Sequence, residues 1–300
     1  MTNKPSLKHE FGGEWTTEKL ERVRKYLTAY TRIFTSNPRA RKLYTCYVDA
    51  FAGTGYRTVP KRKGASTIPF LGPVDPEAQN FLKGSARIAL EVEPPFNRYV
   101  LIEQDPERAR ELETLREQFP TRIDRIDIVD EEANAYLRQW CDRTDWRQWR
   151  SVVFLDPYGM QVEWLLIETL AKTQAVDLWI LFPLGMAVNR LLTKDEPPPE
   201  QWAQALTRMF GTDQWKEAFY PRRTRLTLFG EEETHAKEAD FDRIGQFFVQ
   251  RLKTVFTAVA KNPLALRNSK NTPLYLLCFA SANPRGAPTA IKIAQDILRR

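Results

Sequence analysis

Three acidic side chains stand directly after apolar segments of the sequence: Asp49 after YTCYV, Glu103 after RYVLI and Asp156 after SVVFL. Carboxylates in such places can accept hydrogen bonds from hydroxyl or amino groups of a ligand. Two glycines, Gly53 and Gly55, closely follow the first of these segments. Because glycine carries no Cβ, its backbone can come close to a ligand. An ordinary turn is the alternative explanation of the two glycines.

The Gly53-x-Gly55 pattern differs from the glycine fingerprint of dinucleotide-binding folds. That fingerprint has a third glycine three residues further on, where this chain has Thr58, and a helix that begins within the glycine turn. Here a polar segment, 56–83, follows instead, and the sequence contains no Walker-type phosphate loop. These features disfavour a cofactor with a diphosphate, and with it a nicotinamide-dependent oxidoreductase. S-adenosylmethionine has no phosphate and fits the pattern.

Four acidic or hydroxyl residues can be assigned to S-adenosylmethionine by their chemistry. Asp49 is expected to accept from the ammonium group, directly or through water. Ser85 opens the segment GSARIAL, whose helix N-terminus would face the carboxylate. Glu103 lies about one strand–helix–strand unit after the glycines, a position from which a carboxylate accepts both ribose hydroxyls. Asp130 ends the third strand and is expected to accept from the adenine amino group.

The motif Asp156-Pro157-Tyr158-Gly159 supplies groups that suit an acceptor substrate. The aspartate can accept a hydrogen bond from an amine nucleophile, and the tyrosine can stack on a flat ring. Methyl transfer from a sulfonium to an amine mainly requires alignment, so a positioning acceptor suffices. We therefore predict Asp156, Pro157 and Tyr158 as the catalytic residues. The alternative is that Asp156 caps a helix that begins near Val162.

The hydrophobic pattern predicts the elements that must position these residues. Strands and helices alternate after an N-terminal amphipathic helix, which is typical of a parallel, doubly wound sheet. The C-terminal part instead predicts a helix, two strands joined by a polar turn and a last helix. The predicted strands are YTCYVDAF, 98–105, 125–130, 151–159, 175–185, 264–268 and 274–280, and the predicted helices are 15–36, 106–119, 131–140, 162–173, 236–260 and 284–300.

Five alternating strands followed by an antiparallel pair are the layout of a class I methyltransferase sheet, whereas a dinucleotide-binding fold would repeat its strand–helix–strand half. We therefore predict one α/β domain over 1–300, with a doubly wound, mostly parallel, Rossmann-like sheet and a C-terminal antiparallel strand pair. Residues 1–40 are expected to form an N-terminal helical extension. Segments 56–83 and 193–235 are predicted as insertions, which commonly cover or build a binding site.

Basic side chains are clustered along the chain. The formal net charge is +7, and lysine and arginine clusters fall in both insertions. They predict a surface that follows the phosphates of a nucleic acid, with ordinary surface charge as the alternative. The predicted nucleic-acid-binding residues are Lys61, Arg62, Lys63, Arg222, Arg223 and Arg225.

Cysteines and histidines are few and dispersed. Cys46, Cys141 and Cys278 have no metal-ligand spacing, and only His9 and His235 carry imidazole, so no metal site is expected. Cysteines of this kind indicate a reduced, cytoplasmic chain. The N-terminal segment lacks the apolar core of a signal peptide, and no apolar run reaches membrane-spanning length. Neither secretion nor membrane insertion is therefore expected.

Two motifs resemble those of amino-group methyltransferases. DAFAGTG resembles their Asp-Pro-Phe-x-Gly-Ser/Thr-Gly motif, which adds Phe51 to the cofactor site. DPYG resembles their catalytic motif, in which Asp or Asn is followed by two prolines and an aromatic residue; here the second proline is absent and Gly159 follows the tyrosine. Both motifs occur in the right order at predicted strand ends. The resemblance implies binding of S-adenosylmethionine and methyl transfer to an amine.

Almost the whole chain, roughly residues 20–295, is similar to the three-Cys-motif partner proteins, a bacterial methyltransferase-like family. The segments that carry the resemblance are YVDAFAGTG, GSARIAL, FLDPYG and PLYLLCFAS, between an N-terminal and a C-terminal helix. The resemblance implies a partner with the three-cysteine motif, similar to radical S-adenosylmethionine proteins. The resulting hypothesis is methyl transfer to an amino group of a nucleic acid, together with this partner. The alternative is a non-catalytic, cofactor-binding protein that docks the same partner.

Overall fold

The computed structural model describes residues 14–52, 84–157, 159–227, 230–234 and 236–299. The helices are α1 (Glu14–Ser36), α2 (Ser85–Glu91), α3 (Pro106–Glu117), α4 (Ala133–Arg143), α5 (Trp164–Lys172), α6 (Asn189–Leu191), α7 (Glu200–Phe210), α8 (Trp215–Phe219), α9 (Phe241–Lys253) and α10 (Ala287–Leu298). The strands are β1 (Tyr44–Asp49), β2 (Arg98–Ile102), β3 (Ile126–Val129), β4 (Trp149–Leu155), β5 (Val176–Phe182), β6 (Arg223–Thr227), β7 (Gly230–Thr234), β8 (Ala258–Val259), β9 (Leu264–Arg267) and β10 (Pro273–Ser281).

Eight strands form one sheet in the order β3-β2-β1-β4-β5-β10, with β8 and β9 both pairing with the outer edge of β10. Strands β1 to β5 are parallel, whereas β10 is antiparallel to β5, β8 and β9. Strands β6 and β7 form a separate antiparallel pair. This order, with the reversed β10 beside β5, is that of a class I methyltransferase sheet. The predicted fold class is therefore confirmed.

The side chains of the sheet enter two apolar cores, one on each face. In β1, Cys46 and Val48 enter one core and Tyr47 enters the other, as expected for alternating strand residues. Helices α1, α2, α3 and α10 cover the face of Tyr47, and α4, α5, α7, α8 and α9 cover the opposite face. The sheet is thus the middle layer of three.

Helix α1 brings a charged residue onto the face of the sheet. Val23, Tyr26, Leu27 and Tyr30 recur at helical spacing and are buried, which explains why α1 packs on the sheet. Lys19 lies one turn before Val23 on the same stripe and is fully buried as well. The apolar stripe of α1 therefore carries a lysine into the interior.

The C-terminal half differs from the sequence prediction in its details. The predicted helix 236–260 is shorter, because Asp240 caps the start of α9 by accepting from Arg243 N–H, and the helix stops before the short strand β8. The predicted insertion 193–235 contains α7, α8 and the β6–β7 pair. Trp215 of α8 is buried in the core. The predicted insertion therefore contributes side chains to the core of the domain.

Candidate functional site

The carboxyl ends of β1, β2 and β4 form the candidate site. β1 lies between β2 and β4, and open α/β sheets bind ligands outside the strand ends at such a switch point. The backbone after β1 continues between the ends of β4 and β2. Ala50 N–H donates to Phe154 O of β4 (3.1 Å), and Ala52 N–H donates to Ile102 O of β2 (2.9 Å). Ala52 immediately precedes Gly53. The chain therefore enters the glycine motif beside the end of β2.

Asp49 is the last residue of β1 and is fully buried. Its Oδ2 accepts a hydrogen bond from the Tyr47 hydroxyl at 3.2 Å. Its Oδ1 has no hydrogen-bond partner among the residues that the structure describes. Burial raises the pKa of Asp49 to about 6, and Ser85 opposes this rise more than any other neighbour. Because a buried oxygen without a partner is costly, Oδ1 suits a cationic ligand group such as an ammonium.

Ser85 opens α2 and is buried next to this carboxylate. Its hydroxyl lies close enough to lower the pKa of Asp49, but within the described part of the chain Ser85 Oγ makes no hydrogen bond of normal geometry. A Cβ on the preceding Gly84 would lie 2.6 Å from Leu20 Cδ1 of α1, so a residue without a side chain lets the two helices approach. Two buried polar atoms, Asp49 Oδ1 and Ser85 Oγ, thus lie near the N-terminal ends of α1 and α2 without a hydrogen-bond partner in the described ranges.

Glu103 follows β2, with a side chain that is 10% exposed. Its Oε1 accepts from Asp105 N–H at 2.9 Å, and its Oε2 lies 3.8 Å from Arg108 Nη1. Asp105 in turn caps α3 by accepting from Glu107 N–H. These contacts fix the Glu103 carboxylate at the start of α3, one strand away from Asp49. Asp130 follows β3, the edge strand, and is exposed.

Asp156 follows β4 and pairs with Lys19 of α1. Lys19 Nζ lies 2.5 Å from Asp156 Oδ2, and both side chains are buried. The ammonium also lies 5.1 Å from the centre of the Phe154 ring. Burial lowers the pKa of Lys19 to about 8, an effect that Asp156 opposes. Burial likewise raises the pKa of Asp156, and Lys19 opposes that rise. The carboxylate that we predict to bind a substrate amine thus holds an amine of the protein itself.

The alternative prediction for Asp156, a helix cap, is wrong. Helix α5 begins eight residues later, at Trp164, with Glu163 in the N-cap position. Pro157 is buried beside Asp156. Gly159 has φ +71°, in the left-handed region that favours glycine, so the backbone turns sharply after the motif. Tyr158 lies outside the described residues.

Lys19 is the site residue that sequence reasoning missed. The signal was its spacing: it precedes Val23 by four residues and Tyr26 by seven, which places it on the buried stripe of α1. A lysine on an apolar stripe needs a buried acid as its partner. Its partner, Asp156, is 137 residues away in the sequence, so the spacing alone does not identify it.

Other predicted site residues are not brought to Asp49. Phe51 is half-buried and packs against the core on the α4 and α5 side. Arg222 is exposed just before β6. Arg223 and Arg225 belong to β6, opposite Thr234 and Glu232 in the backbone register, and their side chains are not among those described. The predicted residues that lie outside the described part of the chain are Gly53, Gly55, Lys61, Arg62 and Lys63, with the insertion 56–83.

Within the described ranges, no group of three or more His, Cys, Asp or Glu residues could hold a metal ion. None of the helices described here is long and apolar enough to cross a membrane. The three cysteines are free and buried, and burial raises the pKa of Cys46 and Cys141 to about 12. Their thiols are therefore protonated at neutral pH and unsuited to nucleophilic chemistry.

Comparison with solved structures gives distant likenesses. Protein LPL1258 of Legionella pneumophila strain Philadelphia 1 (DUF519) shares 11% identity over 97% of this chain and 92% of that protein, with a TM-score of 0.47. A spermidine synthase in complex with the transition-state analogue AdoDATO shares 12% identity over 94% of this chain, with a TM-score of 0.40. Spermidine synthase from Thermotoga maritima shares 12% identity over 90% of this chain, with a TM-score of 0.36.

This chain covers 62% and 60% of the two spermidine synthases, less than two thirds of their length. No family model matches the sequence. No curated protein matches it either. Because the TM-scores are below one half, the class of the protein rests on the strand order and directions described above. The protein has a class I methyltransferase-type fold with a buried polar cluster at the switch point.

Proposed function

We propose that this protein binds S-adenosylmethionine at the carboxyl edge of its sheet and transfers a methyl group to an amine. The observation that carries the proposal is the buried Oδ1 atom of Asp49, at the switch point of the sheet beside the Ser85 hydroxyl. This oxygen has no hydrogen-bond partner among the residues that the structure describes. Asp49 would accept from the ammonium of the cofactor, and Glu103 from its ribose hydroxyls. S-adenosylmethionine supplies an activated methyl group on its sulfonium.

The Lys19–Asp156 pair supports an amine as the methyl acceptor. Asp156 Oδ2 holds a primary amine at 2.5 Å at a buried position. A substrate amine would take this place, which requires Lys19 Nζ to leave Oδ2. Asp156 would then orient the nitrogen. The nitrogen–carbon bond would form as the bond from the methyl carbon to sulfur breaks, leaving a neutral thioether, and Oδ2 would accept the proton from the nitrogen. Until the proton is transferred, the negative charge of the buried Asp156 carboxylate would be stabilised by the nearby ammonium group of the displaced Lys19.

A nucleic acid is the proposed carrier of the amine. Support comes from the net charge of +7 and from the exposed Arg222 at the start of the β6–β7 pair. A base inside a duplex would have to be flipped out to reach Asp156, so single-stranded substrates should react faster. If phosphates are contacted, affinity should fall steeply with added salt, and loss of one contact should lower the log–log slope by about one. We further propose that the protein acts in the reducing cytoplasm with a three-Cys-motif partner.

A second function is favoured by the same lysine. Lys19 fills the place of an acceptor amine with good geometry, and both members of the pair are buried. In a protein that binds S-adenosylmethionine without transferring its methyl group, the Lys19–Asp156 ion pair would stay intact. The fold would then serve as a docking partner for the three-Cys-motif protein.

The cofactor assignment is tested by calorimetric titration with S-adenosylmethionine. Replacing Glu103 by alanine should weaken binding by roughly 1.5–3 kcal/mol, the range for hydrogen bonds to charged groups. Glu107→Ala is the matched control, because Glu107 is an exposed glutamate in the first turn of α3, the helix that follows Glu103. Equal affinities for the two variants, or no binding by the natural protein, would remove the cofactor from the proposal.

The transfer step is tested with labelled methyl groups. Total cellular RNA and DNA, single-stranded and duplex, would be incubated with the protein, with and without the three-Cys-motif partner. Because Asp156→Asn alone leaves Lys19 charged and buried, the double variant Lys19→Gln/Asp156→Asn is the better test. It should bind S-adenosylmethionine and transfer orders of magnitude more slowly. Cofactor binding without transfer in any combination would favour the docking function.

A further inference from the structure

A cavity lies at the amino edge of the sheet, opposite the candidate cofactor site. Its volume is about 660 Å³, which is within the range of small-molecule sites. Asp177, the second residue of β5, and Arg150, the second residue of β4, lie at its base. Ser281 of the antiparallel β10 pairs with Asp177 in the register, so the loop that follows Ser281 closes the same edge. Helix α1 forms another wall, through Tyr26 and Tyr30.

The buried carboxylate in this cavity is already satisfied by hydroxyl groups. Tyr26 hydroxyl donates to Asp177 Oδ2 at 2.7 Å, and Ser281 hydroxyl donates to Asp177 Oδ1 at 2.5 Å. By contrast, the hydroxyl of Tyr30 is buried and has no hydrogen-bond partner among the described residues. Tyr30 therefore carries a polar group that a ligand in this cavity could satisfy, whereas Asp177 does not need one.

The charged groups that line the cavity are mostly positive. Three arginines, Arg39, Arg150 and Arg285, contribute to its walls, and Asp177 is the one acid among its lining residues. Arg150 Nη1 donates to the carbonyl oxygens of Trp146 and Trp149, both at 2.6 Å, which fixes the guanidinium in place. Burial lowers the pKa of Arg150, and the charge of Arg285 lowers it further. Arg150 and Arg285 thus line one cavity, in which Asp177 supplies the single carboxylate among the described lining residues.

The remaining walls are apolar and include a helix start. Ile33, Phe34, Leu43 and Ile293 line the cavity beside the ring of Tyr30. Helix α10 begins at this place, after Gly286, and its N-terminus adds to the positive potential. An apolar wall in the same cavity as the arginines Arg150 and Arg285 matches a molecule with an apolar body and one anionic end.

We propose that the amino-edge cavity is a second binding site, for a small organic anion with an aromatic or apolar body. The anionic group, a carboxylate or a phosphate monoester, would bind between Arg150 and Arg285. The body would lie on Tyr30 and Phe34, with the Tyr30 hydroxyl as an additional donor. This site is independent of the cofactor site at the opposite edge of the sheet, so its occupancy does not depend on S-adenosylmethionine.

Calorimetric titration with phenyl phosphate tests the proposal, with benzoate as the carboxylate probe and with inorganic phosphate and phenol as probes of the two halves. Phenyl phosphate or benzoate should bind more tightly than either half. Arg285→Gln should weaken this binding by about tenfold or more, the loss expected for one charge-assisted hydrogen bond. Arg110→Gln on α3, an exposed arginine outside the cavity, should leave the binding unchanged.

Tyr30→Phe separates a binding role from a structural one. The variant should bind phenyl phosphate more weakly while its melting temperature stays equal or rises, because the removed hydroxyl has no hydrogen-bond partner in the part of the chain that the structure describes. Absence of binding of both aromatic probes would overturn the proposal, as would binding of inorganic phosphate as tight as that of phenyl phosphate. Affinities unaffected by both Arg285→Gln and Tyr30→Phe would place any observed binding elsewhere.

Discussion

Helix α1 joins two buried carboxylates at opposite edges of the sheet, and it satisfies them by different means. At the carboxyl edge, Lys19 gives Asp156 an ammonium at 2.5 Å. At the amino edge, Tyr26 gives Asp177 a hydroxyl at 2.7 Å, and Ser281 of β10 adds a second one. One site is an ion pair, and the other is a carboxylate held by neutral donors.

The difference determines what each site can exchange. In the ion pair, each charge depends on the other, so only another cation or amine can replace Lys19 without leaving Asp156 unpaired. Asp177 keeps its two donors whether or not a ligand is present. Burial raises the pKa of Asp177 to about 6, so this carboxylate can also become neutral by binding a proton. Under the proposed function, the carboxyl edge would therefore favour amines, and the charge of Asp177 at the amino edge would depend on pH.

The largest expected effect comes from breaking the ion pair. Lys19→Met leaves a buried, unpaired carboxylate, and unfolding in denaturant should show a loss of about 3–5 kcal/mol at pH 7. Lys25→Met on the same helix is the matched control, because Lys25 pairs with Glu21 on the exposed side. It should leave the unfolding midpoint unchanged.

A double variant shows whether the loss comes from the unpaired charge. Lys19→Met/Asp156→Leu removes both charges and fills the volume with apolar groups, so it should recover most of the lost free energy. If Lys19→Met alone were no less stable than Lys25→Met, the pair would be absent in solution. The amine selectivity assigned to the carboxyl edge would then lose its basis.

Much of the fold follows from the sequence, because each element carries its own signal. The parallel strands are apolar segments buried on both faces, and the helices between them carry recognisable starts, such as Pro106 in the first turn of α3. Strand β8 is different: it has two residues, Ala258 and Val259, which is too short for any periodicity. The position of β8 is set by pairing with Ala280 and Ser281 of β10, which is a tertiary contact.

The candidate site could be predicted only in part. Asp49, Glu103 and Asp156 were found because acids at the carboxyl ends of parallel strands meet at one edge. Lys19 was not predicted, because its role depends on where α1 packs. Helical spacing shows which face of α1 is buried but does not show which part of the sheet that face contacts. The same limit applies to the amino-edge cavity. Arg150 and Arg285, which both line it, are 135 positions apart in the sequence, and β10 lies beside β5 only in the folded sheet.

A smaller effect should appear in the pH dependence of stability. The pKa of Asp177 is raised from 3.8 to about 6 by burial, so between these values the folded protein binds more protons than the unfolded chain. Stability that depends on this group is therefore full below about pH 4 and falls as the pH rises to about 6. The fall should be about 3 kcal/mol relative to Asp177→Asn, which does not titrate in this range.

The measurement compares unfolding free energies of the two proteins from pH 4 to pH 7. Asp49, whose pKa is also raised to about 6, contributes equally to both proteins and cancels in the difference. Surrounding charges that bear on Asp177 include Arg150, which lowers its pKa, as do its hydrogen bonds from Ser281 and Tyr26. A difference that stays constant with pH would show that the hydroxyl groups hold Asp177 ionised throughout.

The smallest effect concerns two tyrosines one turn apart on α1. Tyr26→Phe removes one donor from Asp177 and should cost roughly 1–3 kcal/mol at pH 7, where the carboxylate is ionised and left with an unsatisfied oxygen. The ring contacts of Tyr26 with Trp179 and Phe279 do not involve its hydroxyl and should persist in phenylalanine. Tyr30→Phe removes a hydroxyl that has no hydrogen-bond partner among the described residues and should be neutral or stabilising. Denaturant unfolding of both variants in parallel makes the comparison. Equal losses would mean that Tyr30 also has a partner in solution, and equal stability would mean that Ser281 alone satisfies Asp177.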